Sequence, residues 1–208
     1  MKKFISTALV VVLCLALTDC GNKDEKAIQE VVNGYFAAFQ AGDLSGAKDF
    51  CDDDLSDHTT MVLSAEVMEG FVTDQFGDVF RSEAEQFGKD TIAKFVKEYK
   101  LDSLSIEKGK AVATLSVKML DLGQLPMDNT ALVQELGNQY TEDHMYELIA
   151  VMQTQGEAAM KKKLYDGVAP LLFQKMGESV DKIKAVDYTF EVKLEKQNDR
   201  WVITQLSR

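Results

Sequence analysis

The final strand region constrains the fold most, because apolar and polar residues alternate along it. The apolar positions are Val186, Tyr188, Phe190, Val192 and Leu194, with polar side chains between them. A period of two places one such set on a single face of a strand. A polar turn at residues 197–200 follows, and then a returning apolar run that begins with the only tryptophan. The pattern predicts an antiparallel β-hairpin over residues 185–207, buried on one face.

A second region repeats this period. Thr114, Ser116 and Lys118 lie on one face of a predicted strand. The other face is apolar and carries Ala111, Ala113, Leu115, Val117 and Met119. Residues 107–110 read as a turn before it, and Leu104 and Ile106 predict a shorter strand ahead of that turn.

Most of the remaining chain shows helical spacing of apolar residues. We expect a helix from Ala27 to Phe39, closed by Gly42, and a short helix capped by Asp43. Residues 61–80 read as mostly helical, and Asp90 is expected to start a helix whose stripe is Ile92, Phe95, Val96 and Tyr99. After Pro126 a long helical stretch covers about residues 128–182, with a break near residues 137–141 and a stripe of Met145, Leu148, Ile149 and Met152. Segregated helices and strands predict an α+β fold.

The first residues have the layout of a secretory signal. Lys2 and Lys3 precede an uncharged apolar run over residues 4–18, and Asp19, Cys20 and Gly21 follow. The run is shorter than the roughly 20 residues that span a bilayer. The segment resembles a bacterial lipoprotein signal, although Asp19 stands where such signals have a small residue.

The lipoprotein resemblance implies a domain organisation. It implies a signal peptide at residues 1–19, lipid attachment (fatty acids such as palmitate) at Cys20, a lipidated tether at residues 20–26 and one domain over 27–208. The protein is then expected outside the cytoplasm, held to the bacterial cell membrane by its lipid. An uncleaved membrane anchor and a plain secreted protein are the alternatives.

The charge and the cysteine content limit which partners and which disulfide bonds we expect. The chain of 208 residues has formal net charge −11, so phosphate backbones repel it and nucleic acid is not an expected partner. Besides Cys14 in the apolar run and Cys20, only Cys51 remains, which leaves no internal disulfide. The neighbouring aspartates disfavour a Cys51 thiolate, so we expect a half-buried structural cysteine.

No motif predicts a metal, a cofactor or a catalytic residue. Residues 52–58 combine four aspartates with His58 but lack the ligand spacing of a calcium loop. His58 and His144 are the only histidines, which is too few for a histidine-rich zinc site, and His144 is expected at an exposed helix start.

Two segments resemble SnoaL-like (nuclear transport factor 2-like) domains. They are residues 28–43, IQEVVNGYFAAFQAGD, and residues 186–206, VDYTFEVKLEKQNDRWVITQL. The resemblance implies a curved antiparallel sheet packed on helices around a concave apolar pocket. Here a long helical insertion would precede the C-terminal hairpin. The aromatic residues expected to line such a pocket, or to fill the core in its place, are Phe36, Phe39, Phe95, Tyr188, Phe190 and Trp201.

Three functions fit these observations. The first is a non-enzymatic domain that binds a small apolar ligand or another envelope protein. The second is an isomerase or dehydratase of the SnoaL-like type, which needs a carboxylate or histidine in an apolar cavity. The third is assembly, in which sheet faces pair in a homodimer; those faces are mostly polar, carrying Thr114, Ser116, Lys118, Thr189, Lys193 and Glu195. With no acid–base pair in the sequence, we predict a non-enzyme.

Overall fold

A computed structural model describes residues 23–53, 55, 76–121, 124 and 129–208. Within these residues, two helices precede a third helix and a β-hairpin, three further helices follow, and a second hairpin comes last. The helices are α1 (Lys23–Gln40), α2 (Leu44–Lys48), α3 (Asp78–Phe95), α4 (Thr130–Asp143), α5 (Met145–Gln155) and α6 (Glu157–Val180), and the strands are β1 (Val96–Glu107), β2 (Lys110–Leu120), β3 (Ala185–Gln197) and β4 (Arg200–Ser207).

The strands form one open, curved antiparallel sheet in the order β1-β2-β3-β4. Both hairpin turns have two residues with positive φ, Lys108 and Gly109 in one and Asn198 and Asp199 in the other. This conformation matches the twist of paired strands, which is why these short polar turns close hairpins. The predicted hairpin over 185–207 and the predicted turn at 107–110 are confirmed.

Helix α1 packs its apolar stripe on the sheet and forms the main core. Gly42 ends it at φ 73°, and a Cβ there would lie 2.6 Å from the Lys89 carbonyl oxygen. Asp43 caps α2 by accepting a hydrogen bond from the Gly46 N–H at 2.8 Å. Both predictions are confirmed. Backbone hydrogen bonds from the segment after α2 then join Ile203 on β4, which covers that edge of the sheet.

The helical insertion between β2 and β3 has a smaller core of its own. Helices α4 and α6 pack there with α3, around Leu136, Phe80 and Phe173. Asp166 of α6 accepts a hydrogen bond from the Phe80 N–H at 2.9 Å, in the first turn of α3, where backbone N–H groups have no acceptor four residues earlier in the helix. The insertion is therefore tied to α3 by packing and by this contact. The sheet-on-helices class and the insertion at about 128–182 are confirmed.

Three predicted boundaries are wrong. Helix α1 begins at Lys23, so residues 23–26 are helical and do not belong to the predicted tether. Helix α3 runs from Asp78 and ends at Phe95, which places Val96 and Tyr99 in β1. The break in the insertion falls at His144, because α4 runs unbroken through residues 137–141.

Some predictions concern other parts of the chain. These predictions fall outside the described residues; they concern the signal peptide, Cys20, His58, Pro126 and residues 61–75. Among the residues that are described, no helix is long and apolar enough to cross a bilayer.

Candidate functional site

The six aromatic residues predicted for a pocket are core residues in the structure. All six pack in or against the core between α1 and the sheet, and five of them are at most 6% exposed, Tyr188 being half-buried. Phe36 stacks on Tyr99 with ring centroids 4.8 Å apart, and Tyr35 contacts Phe36 and Phe39. Their role as pocket lining stays a prediction, and a groove among the described residues is lined by other side chains.

That groove lies among the three helices of the insertion. It has a volume of about 560 Å³, and its lining consists of Tyr140, Val151, Gln155, Ala159, Lys162, Lys163, Asp166 and Gly167. The Tyr140 ring lies against Gly167, where a Cβ would come within 2.1 Å of the ring carbon Cζ. The absence of a side chain at Gly167 thus lets α4 approach α6 closely.

An ion pair between Glu147 and Lys163 links α5 to α6 beside this groove, and His144 lies next to Glu147. Lys163 Nζ lies 2.9 Å from Glu147 Oε1, and His144 Nδ1 lies 3.4 Å from Glu147 Oε2. The Lys163 ammonium, more than His144, holds the pKa of Glu147 below its usual range, and Glu147 in turn raises the pKa of Lys163. His144 stacks on Tyr140 with ring centroids 4.2 Å apart. It lies at the exposed helix start that the sequence predicted.

The outer face of α5 is apolar and is not covered by any of the residues that the structure describes. Tyr146 is 89% exposed, and Met145, Ile149 and Met152 are each about half exposed. Positions 145, 149 and 152 share one helix face, and 146 adjoins 149 one turn along. Of the predicted stripe only Leu148 is buried, so the prediction that Met145, Ile149 and Met152 face the core is wrong. One signal was available: α5 has apolar residues around most of its circumference, which points to more than one contact face.

The start of α1 is fixed to the turn between β3 and β4. Asp24 Oδ1 accepts hydrogen bonds from Lys196 Nζ at 2.8 Å and from Trp201 Nε1 at 3.1 Å. The Lys196 ammonium first, and then the indole N–H, holds the pKa of Asp24 below its ordinary value of 3.8. This contact orients the N-terminal end of the domain against the hairpin turn.

We expect Asp24→Asn to reduce stability near pH 7 and to become neutral in acid. A carboxyl group whose pKa is lowered by folding stabilises the folded protein at pH values above its pKa in the unfolded chain. That stabilisation is lost as the pH falls through its pKa in the folded protein. Urea unfolding of the wild type and of Asp24→Asn, from pH 7 to strongly acidic pH, measures the difference between their free energies of unfolding. This difference should shrink below about pH 4. Glu25→Gln is the control, because Glu25 makes no ion pair within the described residues. A difference that stays constant across the titration contradicts this prediction.

The remaining ionisable and nucleophilic groups do not gather into a site in the described part of the chain. There, no group of three or more histidine, cysteine or acidic side chains is placed to hold a metal ion, and no acidic, basic or histidine side chain is buried. Cys51 is half-buried, as predicted, with Sγ 3.6 Å from the Ala47 carbonyl oxygen.

Comparison with known proteins gives one likeness. No family model matches the chain, and no curated protein matches it. Among solved structures it is similar to a designed nuclear transport factor 2-like protein, titled Rd1NTF2_05 with five substitutions. The two share 12% identity with a TM-score of 0.37, over 89% of this chain and 98% of the other.

Proposed function

We propose that the protein is a lipoprotein of the bacterial cell envelope whose domain is a non-enzymatic protein-interaction module. The observation that carries the interaction role is the outer face of α5, where Tyr146 and three aliphatic side chains face water. A contiguous apolar patch of this kind is typical of a surface that meets another protein. The anchor is supported by the basic start, apolar run and Cys20 of the sequence.

The anchor and the α5 face belong to different parts of the domain. Helix α1 begins at Lys23, three residues after Cys20, so about 10 Å of chain at most separates the lipid from the fold. Asp24 joins Lys196 and Trp201, so an anchor at Cys20 would hold the β3–β4 turn near the bilayer. Helix α5 packs on α6 within the insertion. The module would thus meet its partner through the insertion while the other end faces lipid.

The non-enzymatic part of the proposal is supported by the solvent exposure of the acidic and histidine side chains in the described part of the chain. General acid–base chemistry on an apolar substrate uses a carboxylate or histidine withdrawn from water. Within the described ranges no carboxylate or histidine is buried, and packed aromatic side chains occupy the core between α1 and the sheet.

Two measurements on the full-length protein test the proposal. After growth with a labelled fatty acid, mass spectrometry should find the lipid on the N-terminal peptide that begins at Cys20. A photoreactive p-benzoylphenylalanine at position 146 should give a product cross-linked to another protein in intact cells, and the same group at position 155, on the opposite side of α5, should not. An unlabelled protein contradicts the anchor, and equal products at both positions contradict the interaction face.

A further inference from the structure

The groove among α4, α5 and α6 carries one cation that no described residue neutralises. Lys162 lines this groove, is half-buried, and makes no ion pair or hydrogen bond with the described residues. Its two neighbours in sequence are both paired, Lys161 with Glu157 and Lys163 with Glu147. An ammonium group that has lost part of its hydration without gaining a carboxylate favours an anion beside it.

The carboxylate of Asp166, which also lines the groove, is engaged by another helix. Asp166 follows Lys162 by four residues, a spacing at which ion pairs form on a helix. Its Oδ1 instead accepts a hydrogen bond from the Phe80 N–H, and a Cβ at Gly77 would collide with the same carboxylate. The negative charge therefore lies at the first turn of α3, where the helix dipole stabilises it, and Lys162 is left for another anion.

Tyr140 adds a hydroxyl group to the groove. Its ring stacks on His144, with centroids 4.2 Å apart, and packs against the backbone of Gly167. Both contacts fix the position of the ring. The hydroxyl lies beside Gly167 and makes no hydrogen bond to the described residues, so it is free to donate one to a ligand. Val151 and Ala159 contribute apolar surface to the same groove.

The dimensions of the groove limit its ligand to a small molecule. The lining residues of α6 run from Ala159 to Gly167, eight residues or about 12 Å of helix. The volume of about 560 Å³ is in the range of small-molecule sites. A single ring or a short chain fits these limits, whereas a long acyl chain would extend beyond them.

We propose that this groove binds a small monocarboxylate with an apolar body. The carboxylate accepts hydrogen bonds from the Lys162 ammonium and the Tyr140 hydroxyl, and the apolar body lies against Val151 and Ala159. This assignment uses each of the free donors and apolar side chains described above, and it leaves the ion pair between α5 and α6 intact.

The charges around the groove favour a monoanion over a dianion such as phosphate. Lys162 supplies one free positive charge, while the carboxylates of Glu147 and Asp166 lie on the neighbouring turns. The whole chain carries −11, which adds to the repulsion of a second negative charge. The site goes beyond the proposed function, because it lies on the side of α5 that faces α6 and not on the face of Tyr146.

Calorimetric titration of the full-length protein in lipid nanodiscs tests the inference, with empty nanodiscs as the blank. The probe is 3-phenylpropionate, and 3-phenylpropionamide has the same shape without the charge. Lys162→Gln should weaken binding of the acid about tenfold or more and leave binding of the amide unchanged. Lys161→Gln is the matched control, because it removes the same charge from an exposed neighbour. Its affinity for the acid should equal that of the wild type.

A second pair of variants tests the place of the apolar body. Ala159→Phe puts a ring into the groove and should abolish binding of 3-phenylpropionate. Ala158→Phe puts the same ring on the exposed side of α6 and should leave binding unchanged. Thermal unfolding shows whether both variants are folded; if Ala159→Phe is not, the two lysine variants still decide.

Four results would overturn the inference. They are no binding of the acid by the wild type, equal affinity for the acid and the amide, equal weakening by Lys161→Gln and Lys162→Gln, and tighter binding of inorganic phosphate than of 3-phenylpropionate. Cross-linking at position 146 is independent of all four, so the interaction module and this site stand or fail separately.

Discussion

Phe190→Ala is expected to lower the free energy of unfolding by about 3–5 kcal/mol, the range for removing a buried phenylalanine ring. Phe190 is 2% exposed in the centre of β3 and lies opposite Leu115 on β2. Its ring also contacts Tyr188 edge-on, with centroids 6.4 Å apart. For a domain of this size the loss corresponds to about 6–20 °C in melting temperature. Chemical and thermal unfolding of the variant measure it.

The neighbouring Glu191→Ala is the matched control. Glu191 points to the opposite face of the same strand and is exposed, with Lys193 Nζ 3.8 Å from its carboxylate. Exposed ion pairs of this kind contribute little to stability, so Glu191→Ala should change the free energy of unfolding by no more than about 0.5 kcal/mol. Similar losses for both variants would refute the assigned faces of β3. A small loss for Phe190→Ala alone would indicate that its ring lines an open pocket and does not fill the core.

The C-terminal hairpin could be predicted because strand alternation and turn chemistry agree there. Residues 197–200 are polar, and the turn uses Asn198, a residue type that tolerates positive φ, together with Asp199. One detail of β4 escapes simple alternation: Ile203 pairs with Leu194 while Gln205 pairs with Lys193, so Thr204 is an extra residue. This bulge turns Leu206 inward beside Trp201 and Ile203.

The boundary between α3 and β1 could not be read from periodicity. Strand β1 has register shifts after Val96 and after Leu101, and each adds one residue to the strand. The inward positions are therefore spaced by three and two in turn: Val96, Tyr99, Leu101, Leu104 and Ile106. A step of three matches helical spacing, so the apolar stripe that starts at Ile92 continues through Tyr99 in the sequence, although the helix ends at Phe95.

The α5 surface was missed for a different reason. Apolar residues on a helix indicate contact faces but do not say which face meets the core of the same chain. Leu148 and Met152 both fit the stripe, yet only Leu148 reaches α6 and is buried. Which side remains free depends on where Glu147 meets Lys163, a tertiary contact between residues 16 positions apart that spacing alone cannot reveal.

Cys20→Ser is expected to abolish fatty-acid labelling and to remove nearly all mature protein from the membrane fraction. The serine hydroxyl cannot replace the thiol that carries the lipid in a lipoprotein. Each buried methylene contributes about 0.8 kcal/mol to membrane binding, and two or more acyl chains hold a protein firmly. With Cys20 changed, the chain should either be released or persist as a precursor that retains residues 1–19.

The two other cysteines supply matched controls for this experiment. Cys14→Ser changes a thiol inside the apolar run, and Cys51→Ser changes the half-buried thiol beside Ala47. Both should keep the label and the membrane location, since neither residue follows the pattern that resembles a cleavage site. Labelling that persists in Cys20→Ser places the lipid elsewhere. If the size and location of the chain do not change in Cys20→Ser, and the wild type is unlabelled, the apolar run of residues 4–18 acts as an uncleaved anchor.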